Sequence, residues 1–356
     1  MKSFKILVIN PGSTSTKIAV YENDKEIFEA TLRHHTEELE KFDTVADQFE
    51  FRKDVILRTL SDNNINVDEF SAISTRGGGL KPIEGGTYKV CETILEDSKT
   101  ARFGEHASNL ACLIGDEIAK DLNIPVFLTD PPVVDELDEI ARQTGIEGMV
   151  RRSRFHALNQ KAVARKGFEE LGKTYTDGNC IVAHLGGGVS VSAHRNGHVI
   201  DTNDAYMGAG PMTPERAGTV ESGEIIKMCF SGKYTLKEIK KILVGKGGLT
   251  SRLGTSDARE VSERVKNGDK KAEMVYSAMA YQVSKEIGNM ATVLKGDVDF
   301  IAITGGIAYS TEFVQWISER VSFIAPIRVY PGEFEMSALA LATLRVLNKE
   351  EVAKSY

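Results

Sequence analysis

Short apolar runs separated by loops of small residues set the pattern of the N-terminal stretch. Residues 4–9, 16–21 and 26–32 read as three strands, with Asn23-Asp24 as a hairpin turn between the last two. The same design returns later, as the run 180–185, the run 189–194, the turn Arg195-Asn196-Gly197 and a third strand-like run. In each copy the first run ends in a polar residue, Asn10 or His184, and then enters a small-residue loop. Such loops turn backbone N–H groups toward an anion, because no Cβ blocks close approach. Two related loops predict one nucleotide held between two related domains.

The remaining pattern alternates helix and strand. Residues 36–62 carry apolar positions at Leu39, Phe42, Val45, Phe49 and Val55, a spacing that predicts a helix. A strand at 70–74 leads into Arg76-Gly77-Gly78-Gly79, a helix is expected over 105–122 behind His106, and a buried strand at 125–128 ends in Thr129-Asp130-Pro131-Pro132. The double proline stops regular structure and places Asp130 at a strand end or domain junction. Helices are expected over 157–171, 222–230, 236–243 and 270–294, then a strand at 300–304 entering Gly305-Gly306, a helix over 309–322, a strand at 327–330 and a closing helix over 337–348. Repeated strand triplets with interleaved helices predict an α/β fold with mixed sheets. At 356 residues, two domains are expected.

Composition removes several function classes. The formal net charge is -7, without the basic excess that duplex nucleic acid draws on. No run approaches the ~20 apolar residues of a membrane helix, and no signal-peptide pattern opens the chain, so a cytoplasmic protein is expected. Cys91, Cys112, Cys180 and Cys229 lie far apart, with no C-x-x-C, and are read as reduced, mostly buried thiols.

The loops carry the candidate chemistry. The first, Asn10-Pro11-Gly12-Ser13-Thr14-Ser15-Thr16-Lys17, joins hydroxyls and backbone donors to one lysine, and a cation beside a polyphosphate screens charge that would repel a nucleophile. It is not a Walker A loop, and a hairpin loop bonding its own backbone is the competing reading. The second, His184-Leu185-Gly186-Gly187-Gly188, puts an imidazole where the first copy has Asn10. Gly305-Gly306 after a strand suits a nucleotide contact and equally a tight turn.

The segments Val8–Lys17 and Val182–Ser190 resemble the two diagnostic segments of the acetate and butyrate kinase family. Thr75-Arg76-Gly77-Gly78-Gly79, Arg154-Phe155-His156-Ala157-Leu158-Asn159-Gln160 and Pro331-Gly332-Glu333-Phe334-Glu335-Met336 are more similar to its butyrate-specific branch than to its acetate-specific one. The resemblance implies duplicated ribonuclease-H-like (actin-like ATPase) domains with a cleft between them. The first would span 1–133 plus a closing helix at about 337–356, and the second 134–336. It also implies roles. Asn10, Ser13, Ser15 and Lys17 match the first phosphate and Mg²⁺ region, and Asp130 matches a catalytic aspartate. His156 and His184 match histidines near the transferring phosphoryl group, and Gly186, Gly187 and Gly188 match the second phosphate loop. His106 resembles a further active-site histidine. Asp257 and Arg259, with Gly305 and Gly306, match adenosine contacts, and Glu333 or Glu335 is the acid expected to assist Mg²⁺. Arg76 matches the first substrate arginine with the loop shifted. The place of the family's second arginine holds another residue here, and Arg216 is the replacement considered.

The activity implied is transfer of a phosphoryl group from ATP, with Mg²⁺, to a short-chain carboxylate such as butyrate, by direct in-line displacement in a homo-oligomer. A fatty carboxylate, with a pKa of about 4.3 like a model glutamate, is ionised at neutral pH and needs no general base. The task is to offset repulsion between two anions. An ATPase or phosphatase of the same superfold, an acetate kinase, or a non-catalytic nucleotide sensor are the alternatives.

Overall fold

The computed structural model describes residues 3–356. Its contacts divide the chain into a first unit running to Val134 and including Phe334–Tyr356, and a second unit, Asp135–Glu333.

The first unit is built on a six-stranded sheet of order β3-β2-β1-β4-β6-β5. Its strands are β1 (Lys5–Pro11), β2 (Ser15–Glu22), β3 (Lys25–Arg33), β4 (Ala72–Thr75), β5 (Thr87–Lys89) and β6 (Val126–Thr129). β1, β2 and β3 form an antiparallel meander, while β4 and β6 run parallel to β1. Strand alternation sends Leu7, Ile9 and Ile73 to one face, where they meet Ile56 and Leu60 of the helix Phe49–Asp62 and Leu110 and Ile114 of the helix Leu110–Lys120. The helix Glu335–Leu347 covers the opposite face, where the Ser74 hydroxyl donates to the Leu339 carbonyl at 2.8 Å.

The second unit has a five-stranded sheet of order β11-β10-β7-β8-β9, made of β7 (Asn179–Leu185), β8 (Val189–Arg195), β9 (His198–Thr202), β10 (Phe300–Gly305) and β11 (Ile327–Pro331). Its directions repeat those of the first: an antiparallel meander followed by two parallel strands. Even the irregularity recurs. The ladder slips between Val20 and Tyr21 in one sheet and between Ala193 and His194 in the other. Asn10 pairs with Lys17, and His184 pairs with Ser190. Ile181, Ala183, Val191 and Ile303 pack beneath the long helix Lys270–Val293 and the helix Thr311–Val321. The other face carries His184, Ser190, Ser192 and His194, all buried, toward the helix Ala157–Glu169. The α/β class with two mixed sheets agrees with the pattern read from the sequence.

Several elements differ from expectation. The helix over 36–62 is broken into a single turn, Thr36–Leu39, a 3-10 turn at Ala46–Gln48 and the helix Phe49–Asp62. Asp47 explains the break, since its carboxylate accepts from the Thr44 amide at 2.8 Å and hydroxyl at 2.7 Å, closing a local turn. The expected helix over 309–322 begins at Thr311, because Gly306–Tyr309 is a 3-10 turn and Ser310 caps the helix. The helices Glu92–Lys99, Gly248–Leu253 and Ala258–Lys266 and the strand β5 add to the pattern. Cys112 and Cys180 are buried, but Cys91 and Cys229 are exposed, so the thiols are not mostly buried. Cys91 precedes a helix at its cap, and Cys229 lies on Ser222–Phe230, a helix that buries none of its residues. Among the described residues no helix is long and apolar enough to cross a membrane.

Candidate active site

In the first unit the site is assembled at the end of β1. Asn10 is buried and donates from Nδ2 to Glu335 Oε2 at 2.9 Å. Glu335 opens the helix Glu335–Leu347, where a carboxylate is favoured by the unsatisfied N–H groups of the first turn. Its other oxygen stands 3.2 Å from Arg76 Nη2. Among the described residues Arg76 Nε is buried without a hydrogen-bond partner. Asn10, Arg76 and Glu335 are therefore brought together, whereas Glu333 is exposed and lies in the second unit. Lys17 is exposed and shares a sheet face with its ladder partner Asn10, and Ser13 is exposed in the loop between them.

A buried guanidinium holds this loop from its inner side. Arg52 is wholly buried in the helix Phe49–Asp62. Nη1 donates to the carbonyls of Gly12 at 2.9 Å and Ser15 at 3.2 Å and to Thr16 Oγ1 at 3.1 Å, while Nη2 donates to the Ser13 carbonyl at 3.0 Å. Its remaining donors reach Gln48 Oε1. Burial lowers its pKa to about 10, still well above neutrality. By occupying the carbonyls, Arg52 fixes which way the loop's peptides point. Thr16 in turn bonds His34 Nε2 at 2.9 Å. Sequence reading missed both, although Arg52 sits four residues before Ile56 on a core-facing stripe, where a cation needs a dedicated set of acceptors.

His106 and Asp130 are each held by their own local structure. His106 caps the 3-10 turn Ala107–Asn109 through Nδ1, and Ser108 Oγ, 2.9 Å from that nitrogen, donates to the Pro11 carbonyl at 3.1 Å. Desolvation, with Arg76 and Arg52 nearby, lowers the His106 pKa. Asp130 follows β6 with φ of 39° and is buried, and its Oδ1 accepts from the Gly86 amide at 2.7 Å. A left-handed conformation before proline is costly, about 1–3 kcal/mol, so the fold holds Asp130 in place against strain.

In the second unit, His184 at the end of β7 stacks on His156, which precedes the helix Ala157–Glu169. The ring centroids are 3.9 Å apart and the planes within 13°. The glycine loop lies against them. A Cβ at Gly186 would come 3.2 Å from His184 Nε2, and one at Gly188 would fall 3.2 Å from His156 Cε1 and 2.6 Å from Arg216 Nη1. Arg216 is thus brought to the loop, and desolvation lowers its pKa. It also lines a cavity of about 310 Å³ whose walls include Val189, Tyr206, Met207, Pro211 and Ile225. Gly187 is exposed with open space beside it, and its carbonyl is tied down by Thr213 Oγ1 at 2.7 Å.

Gly305 has φ of 92°, and a Cβ there would strike the Leu185 carbonyl at 2.3 Å, so only glycine fits. Arg259, beside the cap residue Asp257, and Gly306 line a second cavity of about 250 Å³ with Ser262, Tyr276 and Ser310. Of the four adenosine-contact residues implied by resemblance, Arg259 and Gly306 line this cavity, and Asp257 and Gly305 are not among its lining residues. Asn159, Gln160, Ser190 and His194, which bond to the two stacked imidazoles or to each other, were not assigned roles from the sequence.

Residues 128–324 match the acetokinase family model. A probable butyrate kinase of Clostridium botulinum (strain Alaska E43 / Type E3) is 54% identical over 354 residues, covering 99% of this chain and 100% of that protein. The chain belongs to the acetokinase family. Butyrate kinase 2 of Clostridium acetobutylicum is also 54% identical, over 99% of both chains. The fold is that of the acetate kinase of Porphyromonas gingivalis, with a TM-score of 0.76 at 20% identity over 97% of this chain and 100% of that one. A ROK family protein from Streptococcus pneumoniae has a more distant likeness, with a TM-score of 0.53 at 14% identity over 98% of this chain and 100% of that one.

Proposed function

We propose that this acetokinase transfers the γ-phosphoryl group of ATP to a short-chain fatty acid, butyrate or a near neighbour, giving an acyl phosphate and ADP reversibly. The observation that carries the reading within the site is Arg216. A guanidinium beside the glycine loop and the stacked imidazoles borders a largely apolar cavity of about 310 Å³, which suits a carboxylate with a short alkyl tail. The acid is the nucleophile. One carboxylate oxygen attacks phosphorus as the bond to the ADP oxygen breaks, and no proton needs to be removed.

The chain's own groups lower the charge repulsion. Arg216 and Arg76 are assigned to the carboxylate and the transferring group, Lys17 and the Ser13–Ser15 loop to phosphate, and His156 and His184 to phosphoryl oxygens as N–H donors. The segment from Asp257 to Arg259, with Gly305 and Gly306, is assigned to the nucleoside. Asn10, Glu335 and Asp130 offer hard oxygen donors of the kind Mg²⁺ takes when it keeps waters and substrate phosphates in its shell, and of the two acids Glu335 is assigned this role, a reading that its contacts with Asn10 and Arg76 support. Bound there, Mg²⁺ would neutralise phosphate charge. Assembly as a dimer or multiple of dimers, and a cytoplasmic location, belong to the same reading.

The test is hydroxamate trapping of acyl phosphate with ATP and Mg²⁺ across C2 to C6 linear and branched acids, beside acid-independent ADP release. A maximum at C4 or its branched neighbours is expected. ADP release without acyl phosphate would move the assignment to an ATPase.

A further inference from the structure

We propose that Asn159 and Gln160, adjacent on the helix Ala157–Glu169, are positioning residues that fix His184 and His156 as Nε2–H tautomers. The assignment follows from counting protons. Asn159 Nδ2 lies 2.9 Å from His184 Nδ1 and donates to Thr304 Oγ1 at 3.3 Å, and that hydroxyl gives its own proton to the Gly332 carbonyl at 3.2 Å. The group facing His184 Nδ1 is therefore the amide N–H₂, a donor only, so Nδ1 accepts and the ring proton stays on Nε2.

The second chain is longer and ends the same way. Gln160 Nε2 donates to the Ser190 carbonyl at 3.0 Å, which can only accept, and this fixes the orientation of the amide. The second proton of Nε2 goes to Ser190 Oγ at 2.7 Å, and the His156 amide also donates to that oxygen, at 3.3 Å. With two donors received, the Ser190 hydroxyl gives its proton to His156 Nδ1 at 2.7 Å. Gln160 Oε1 meets His194 Nε2 at 3.0 Å, so His194 is Nε2–H as well, and its Nδ1 accepts from the Tyr175 hydroxyl at 2.8 Å. Complete burial holds His194 well below the usual imidazole pKa, which keeps it neutral and the chain in this one direction.

Both rings of the stack thus carry their proton on Nε2, and His184 Nε2 faces the Gly186 loop. Two neighbouring carboxamides set two donors at once, one directly and one through Ser190. The role of those donors rests on the kinase reading above, but the tautomers themselves do not.

Long-range ¹H–¹⁵N spectra of the full chain labelled at histidine, with signals assigned by single His→Gln replacements, test the proposal. His156, His184 and His194 are expected as Nε2–H tautomers. In Asn159→Asp a carboxylate can only accept, so His184 should move to the Nδ1–H or doubly protonated form while His156 keeps its signals. Gln160→Glu should shift His156 and His194 instead. In the acyl phosphate assay Asn159→Asp should lose about 10²-fold or more in kcat with KM for the acid within about twofold, the pattern of a lost transition-state donor. An Nδ1–H signal on His156 or His184 in the unmodified protein would overturn the assignment, whether or not the variants fold. An unchanged His184 spectrum in Asn159→Asp would also overturn it. Failure of the kinase reading has a different signature, absence of acyl phosphate with the three tautomers as expected.

Discussion

The two copies of the strand–loop–strand unit share their ladder, their bulge and the position of the polar residue that ends the first strand, yet each loop is stabilised by opposite means. Behind the first stands a buried cation, Arg52, which donates to the loop carbonyls of Gly12, Ser13 and Ser15. Behind the second stand neutral carboxamides and hydroxyls, the loop itself is nearly bare glycine, and the Arg216 guanidinium stands beside Gly188. Lys17 and Ser190 occupy equivalent ladder positions, one an exposed cation and the other a buried hydroxyl bonded to His156. A duplicated backbone has thus been divided into a charged half and a proton-specified half. What the fold repeats is geometry, and what the side chains decide is which kind of donor that geometry presents.

The comparison breaks first at Arg52. Arg52→Met would leave the Gly12 and Ser13 carbonyls and Gln48 Oε1 without the donors that Arg52 supplies, at a cost of about 3 kcal/mol or more in unfolding free energy. Arg52→Lys keeps the charge without the planar fork and should fall between. Urea unfolding midpoints check both. If Arg52→Met unfolds like the parent protein, the charged half is not held in the way described. Next comes His184→Ala, expected to lower kcat about 10²- to 10³-fold with KM for the acid little changed, because a donor to developing charge acts in the transition state. Steady-state kinetics decide this, and an unchanged kcat would remove His184 from the proton-specified half.

Much of the charged half was legible because its residues are contiguous. Asn10 to Lys17 is a single motif, and the strand triplets around both loops follow from short apolar runs bounded by turn residues. Arg52 was hidden by distance, since its partners lie about forty positions away and helical periodicity marks a core position without naming its occupant's acceptors. The choice between Glu333 and Glu335 was equally out of reach. Two residues apart, they fall in different units, and only the entry into the last helix turns Glu335 toward Asn10. His184 could be flagged from the repeat, but its tautomer depends on Thr304 and Gly332, which meet it only through the parallel pairing of β10 with β7 and the contact between Gly305 and Gly332.

That choice between acids gives a smaller, sharper test. Glu335→Gln keeps a group able to bond Asn10 but loses the charge that pairs with Arg76 and could face Mg²⁺, and a loss of about tenfold to a hundredfold in kcat is expected, with a higher Mg²⁺ requirement. Glu333→Gln should stay within about twofold of the parent protein, as expected for an exposed residue outside the first-unit cluster. Titrating Mg²⁺ in the hydroxamate assay separates the two, and equal losses would contradict the placement.

The smallest effect concerns pH and again separates the two halves. His34 is buried behind the first loop, and desolvation together with the Arg52 charge lowers its pKa to about 4. Thr16 Oγ1 accepts from Arg52 and so donates to His34 Nε2, which a protonated ring could not accept. With the unfolded chain near 6.5 and the folded state near 4, the unfolded state binds the extra proton first as pH falls. The stability His34 contributes is therefore complete above about pH 6.5 and is lost progressively down to about pH 4. His194 in the second half is also held neutral, so the parent slope contains both rings. His34→Gln should flatten part of the fall in unfolding midpoint across this window without altering the His156 and His184 spectra. A slope that did not change would mean His34 already titrates normally in the folded protein, and that Arg52 is not felt at the back of its own loop.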